Sequence, residues 1–89
     1  MELRDTVEMM VSKDYKERFR AEFYQLKIRY ESLKAMLEKW DLDMLDFKPS
    51  CPRDWYDEQL QAMADYLMIL KDRADLEDVK IDWEGDLCI

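Results

Sequence analysis

The sequence predicts an all-α fold: an antiparallel hairpin of two long helices, preceded by a short N-terminal helix, that assembles into a helical oligomer. Three observations predict it. The 89 residues hold one glycine, Gly85, and two prolines, Pro49 and Pro52, confined to one short stretch. Sandwiches, barrels and Gly-rich phosphate loops need glycine at their turns, so those classes fall away. On either side of the prolines lies an unbroken heptad seam of apolar residues. Hydrophobic residues make up 48% and charged residues 40%, the balance of a soluble, mostly helical protein.

The elements follow in order, within one domain over 1–89. Leu3, Val7, Met10 and Val11 recur at helical spacing, so 1–11 reads as a short amphipathic helix that must dock on something to persist. Asp14 with Glu17 three residues on is a capping-box variant, which starts a helix over 14–40. Along it Phe19, Phe23, Leu26, Tyr30, Leu33, Leu37 and Trp40 alternate spacings of four and three. Asp14 and Arg18 stand one turn apart as a favourable ion pair. The connector over 41–52 carries Leu42, Met44, Leu45 and Phe47, too apolar for a bare loop, and is expected to fold back over the end of the hairpin. A second helix over 53–76 repeats the seam with Tyr56, Leu60, Met63, Leu67, Leu70 and Ala74. Beside it runs a second stripe, Ala62, Tyr66 and Ile69. Two helices cannot bury a seam and a stripe against each other alone, so these three residues are the expected homo-oligomer interface. In the tail over 77–89, Val79, Ile81 and Trp83 alternate with polar residues, which reads as an extended strap across a neighbour or as disorder.

Net charge is −8 and unevenly spread. Residues 11–39 carry eight Lys/Arg and five Asp/Glu, whereas residues 40–89 carry five and fourteen. So acidic a chain is a poor non-specific ligand for DNA or an anionic membrane, and neither is expected as a partner. No apolar run approaches the length of a membrane span and no signal-peptide pattern opens the chain. Cys51 and Cys88 are read as reduced thiols, and the expected location is cytoplasmic.

Chemistry is constrained by what is missing. There is no histidine, hence neither the usual general base nor the commonest metal ligand. Ser12, Ser32 and Ser50 have nothing to activate them, so no catalytic residue is assigned and enzymatic activity is not expected. Cys51 beside Pro52 reads as a packing residue of the turn. Asp41, Asp43 and Asp46 lack the glycine and closing glutamate of a calcium loop, and Glu22, Glu31, Asp65 and Asp72 do not make a di-metal bundle site. No metal and no cofactor are expected. The first long helix concentrates Lys13, Lys16, Arg18, Arg20, Lys27, Arg29 and Lys34 with Tyr15, Tyr24 and Tyr30. Aromatic faces stack bases and guanidinium groups fork to phosphate; the competing reading is a solvated, salt-bridged helix face.

The pattern Tyr15-x-x-Arg18-x-x-x-Glu22-x-x-x-Leu26-x-x-Arg29-x-x-x-Leu33-Lys34, followed by Gln59-Leu60-Gln61-Ala62-Met63-x-x-Tyr66-Leu67-x-Ile69-Leu70-x-x-Arg73, resembles small helical-hairpin proteins of tailed phages and prophages. That group is in turn similar to the phage anti-CBASS sponges, helical oligomers that withhold cyclic oligonucleotide signals from bacterial immune effectors. The resemblance covers 14–75; the connector with Lys48-Pro49-Ser50-Cys51-Pro52 is longer than usual for such hairpins, and the acidic tail after Leu76 has no counterpart. It implies a non-enzymatic binding protein acting in the bacterial host cell. Its partners would be further copies of itself and a cyclic oligonucleotide or related signal. On that reading Tyr15 or Tyr30 stacks a base, Arg18, Arg29 and Lys34 neutralise phosphates, and Arg73 reaches in from a neighbour. The rival from another class is a structural adaptor that uses the same seam to bind a protein and takes no small molecule.

Overall fold

The computed structural model describes residues 1–82; residues 83–89, with Trp83 and Cys88, lie outside the described part. It is all-helical, with no strand among the described residues. A 3₁₀ turn, Leu3–Thr6, runs into α1, Val7–Met10; α2 spans Tyr15–Asp41 and α3 spans Arg53–Glu77. Asp14 caps α2, its side chain accepting the Lys16 N–H at 3.0 Å, and so satisfies a donor the helix itself leaves open. Pro52 caps α3 and Arg53 is its first residue, a place where the missing proline N–H costs nothing.

α2 and α3 pack side by side with opposite ends together. Tyr15 at the start of α2 meets Glu77 at the end of α3, and Trp40 near the end of α2 packs edge-on against Tyr56 near the start of α3, centroids 5.9 Å apart. The core gathers Phe19, Phe23 and Tyr30 of α2 with Ala64, Leu67, Leu70 and Ala74 of α3. Phe23, Leu67 and Leu70 are fully excluded from solvent. Each large side chain so buried contributes about 1.5–3 kcal/mol. Leu37 is buried as well, whereas Leu26, Leu33, Trp40, Tyr56, Leu60 and Met63 are half-buried at the seam margins.

Three local expectations are corrected. The N-terminal segment does not dock through its spaced apolar residues, since Leu3, Val7, Met10 and Val11 are all exposed. It docks through Thr6, which is fully buried: its hydroxyl donates to the Leu3 carbonyl at 2.7 Å and accepts from the Gln25 amide at 2.9 Å. A hydrogen-bonded pair between elements outweighs a stripe too short to bury itself. The connector does not cover the helix ends, because Leu42, Met44 and Phe47 remain more than half exposed and only Leu45 is partly buried. Arg18 donates to the Ser12 carbonyl at 2.8 Å and forms no ion pair with Asp14, whose carboxylate is engaged as the cap.

The described part of the tail lies on its own chain. α3 closes on Asp78 in the left-handed conformation (φ 56°), a conformation Asp tolerates better than most residues. The Val79 N–H returns to the Ala74 carbonyl at 2.9 Å and the Val79 side chain is buried, a Schellman closure. The chain then runs up α2. Lys16 Nζ donates to the Asp78 carbonyl at 2.9 Å, Arg20 Nε to the Lys80 carbonyl at 2.8 Å, and the Asp82 N–H to Tyr24 Oη at 2.8 Å. Every second residue of the strap therefore meets one further turn of the helix.

Two substitutions check this account. Leu67→Ala should lower unfolding stability by about 2–5 kcal/mol in urea titration. Thr6→Val should lower it by about 1 kcal/mol while leaving the far-ultraviolet circular dichroism unchanged.

Candidate ligand-binding face

At 100° per residue, Tyr15, Arg18, Glu22 and Arg29 fall within about a 60° arc of α2, and Trp55, Ala62, Tyr66, Ile69 and Arg73 within a similar arc of α3. Two contacts lay these arcs edge to edge. The Tyr66 hydroxyl donates to Glu22 at mid-length. At the end opposite the connector, Tyr15, Arg73 and Glu77 close a ring of bonds: Tyr15 Oη donates to Glu77 Oε1 at 2.6 Å, Arg73 Nη2 donates to Tyr15 Oη at 2.9 Å, and Arg73 Nε donates to Glu77 Oε2 at 3.1 Å.

Packing beneath the ring holds it. The Arg73 guanidinium lies over the Phe19 ring, 5.1 Å from its centroid, a cation–π placement that also orients the fork. The Tyr15 ring meets Phe19 edge-on at 6.2 Å. The Tyr15 phenol is raised above its ordinary pKa, first by its bond to Glu77 and then by desolvation. Glu77 is lowered, first because Tyr15 donates to it, and Arg73 is raised, first by its bond to Glu77. Tyr66 is raised by its bond to Glu22.

The expected site residues divide on this geometry. Tyr15 and Arg73 are brought into contact within one chain. Arg18 and Arg29 share their side of α2 and are exposed; Arg29 makes no hydrogen bond or ion pair among the described residues. Tyr30 and Lys34 do not join them, lying about a quarter turn or more away around α2. Tyr30 is a correction: its ring is in the core, 7% exposed, so it has no face to offer a base. Lys34 is half-buried on the inner flank. Of the other cations, Lys16 and Arg20 hold the strap and Lys27 pairs with Glu31 at 4.0 Å. Ala62, Tyr66 and Ile69 are exposed, and with Trp55 and Leu76 they extend an apolar stripe along the outside of α3.

Sequence reasoning missed Glu77 and Arg53. Glu77 lies 62 residues from Tyr15, and no local spacing signals so distant a pair. Arg53 pairs with Asp41 at 2.7 Å and Asp57 at 2.9 Å and lies 5.1 Å from the centroid of the Trp40 ring, which ties the two helices at the connector. Beside it is an open hollow of about 760 Å³ walled by Trp40, Phe47, Pro49, Cys51 and Pro52. No group of three or more Asp, Glu, Cys or His among the described residues is placed to hold a metal ion. No described helix is long and apolar enough to cross a membrane.

Fold and face together define a small all-helical scaffold that presents a tyrosine–arginine clamp beside an uncovered apolar stripe. A family model described as Sequestin matches residues 13–76, so it takes in both long helices up to the last turn of α3, and the chain belongs to the Sequestin family. No curated protein and no solved structure matches it.

The ring makes stability pH-dependent at both ends of the scale. A raised phenol contributes stability that is complete below about pH 10 and is lost as pH rises through its folded value. A lowered carboxyl contributes stability that is complete above about pH 4.5 and is lost as pH falls through its folded value. Thermal melts should therefore show a smaller alkaline loss in Tyr15→Phe than in the wild type, and a smaller acid loss in Glu77→Gln.

Proposed function

We propose that this protein sequesters a nucleotide-derived signal, of the cyclic-oligonucleotide kind, as a non-enzymatic homo-oligomer of the phage type that counters host defence. The observation that carries the reading is the coincidence on one face of an aromatic–arginine clamp, two further exposed arginines and an exposed apolar stripe. The family name, which speaks of sequestering, supports the same reading.

On this reading Tyr15 stacks a base and Arg73, Arg18 and Arg29 take phosphates. Phe19, beneath the clamp, and Arg29 are ten residues apart, about 15 Å along the axis. One small phosphate cannot touch both ends, so the ligand is extended or is shared with a neighbouring copy. The stripe supplies that neighbour: Ile69 is 57% and Trp55 63% exposed, surface that a second copy would cover. Burial between copies would strengthen each phosphate contact relative to open water. The adaptor reading draws on the same stripe, which would then seat a different protein.

Calorimetry against cyclic di- and trinucleotides and cyclic ADP-ribose isomers should show submicromolar binding by at least one, and heating the complex should return that ligand intact. Arg18→Ala with Arg29→Ala should abolish binding and leave the oligomer whole, whereas Ile69→Glu should dissociate it on size exclusion with light scattering. An oligomer that binds no member of the panel would favour the adaptor; a ligand returned cleaved would indicate an enzyme.

A further inference from the structure

Glu77 is in an unfavourable place. It is the last residue of α3, where the helix dipole opposes a negative charge, and Asp75 and Asp78 stand close beside it in sequence. No basic residue lies in that last turn. What holds the carboxylate is the clamp: one oxygen takes the Tyr15 hydroxyl and the other takes Arg73 Nε. Two oxygens of one anion on two convergent donors is also the arrangement a phosphoryl group would adopt there. Arg73 itself has an independent seat on the Phe19 ring, so the cation stays in position when the carboxylate leaves.

We propose that Glu77 is a resident carboxylate occupying the phosphoryl position of the Tyr15–Arg73 clamp, and that a bound ligand displaces it. The inference rests on reading this face as the ligand site. Displacement moves no covalent bond: the phosphoryl oxygens take over the Tyr15 O–H and Arg73 N–H donors, and Glu77 turns to water, away from the dipole only its partners had offset. The exchange sets a threshold for binding. A lone monoanion replaces a carboxylate with little gain, whereas a ligand carrying several phosphoryl charges adds contacts with Arg18 and Arg29 to the exchange at the clamp. The clamp thereby discriminates against simple carboxylates.

The test uses the full chain and inorganic pyrophosphate as probe, with acetate as control. Glu77→Gln should bind pyrophosphate about tenfold more tightly than the wild type, and Arg73→Gln in the Glu77→Gln background should remove that gain. In the wild type, pyrophosphate should shift the Arg73 Nε–H resonance and the Glu77 carboxyl carbon together, which reads displacement without any variant. Equal or weaker binding by a folded Glu77→Gln, or an Arg73 shift with the Glu77 carbon unmoved, overturns the displacement while leaving the ligand face standing. Failure of both wild type and Glu77→Gln to bind pyrophosphate, with no nucleotide bound either, overturns the ligand face and the displacement with it.

Discussion

The structure depends on one contact surface, the seam where Phe19, Phe23 and Tyr30 of α2 meet Leu67, Leu70 and Ala74 of α3. A chain of 89 residues has little other apolar area to bury. Most of what surrounds the seam is secured to it by a few polar bonds, and the strap by its buried Val79 side chain as well. Thr6 holds the N-terminal segment to Gln25, Lys16 and Arg20 hold the strap by its carbonyls, and Arg53 of α3 ties the connector end through Asp41 of α2. The exposed ones among these bonds contribute modestly each. The helix pair is thus the rigid part, and the segments attached to it are the parts that open at low cost.

Directing the seam inward dictates what faces out. With Phe23 and Leu67 at the centre of the contact, helical geometry sends Tyr15, Arg18, Glu22 and Arg29 to one side of α2 and Tyr66, Ile69 and Arg73 to the adjoining side of α3. The clamp and the apolar stripe are neighbours because both are consequences of the same helical phase. A shift of one residue in the packing of either helix would separate Tyr15 from Arg73 and Tyr66 from Glu22. The geometry of this face is therefore coupled to core packing: a cavity under Phe19 would loosen Arg73 before it unfolded the protein.

The all-helical class was legible in the sequence because period and composition agree: buried Phe19, Phe23, Tyr30, Leu37, Leu67, Leu70 and Ala74 all sit on the heptad seams. Ala64, equally buried, sits one residue off the seam, and its burial follows from close approach of the helices, which no heptad count contains. The same seam misled at Tyr30, read both as a core position and as a base-stacking ring; burial decides for the core. Thr6 and Glu77 were illegible for a different reason. Their roles come from single polar bonds to Gln25 and Tyr15, across 19 and 62 residues, and hydrogen bonding at such range leaves no periodic trace. Tyr15 and Arg73 were legible as residue types suited to a phosphorylated ligand, but their meeting within one chain was not.

On the proposed reading, this face retains a small phosphorylated molecule and releases it unchanged. Native mass spectrometry of the protein purified from cells supplied with a nucleotide library tests it most directly. The account predicts an oligomer carrying a stoichiometric adduct whose mass, after heat release, equals that of an intact nucleotide-derived species. An oligomer without adduct from every such preparation, or an adduct recovered only as fragments, would contradict it.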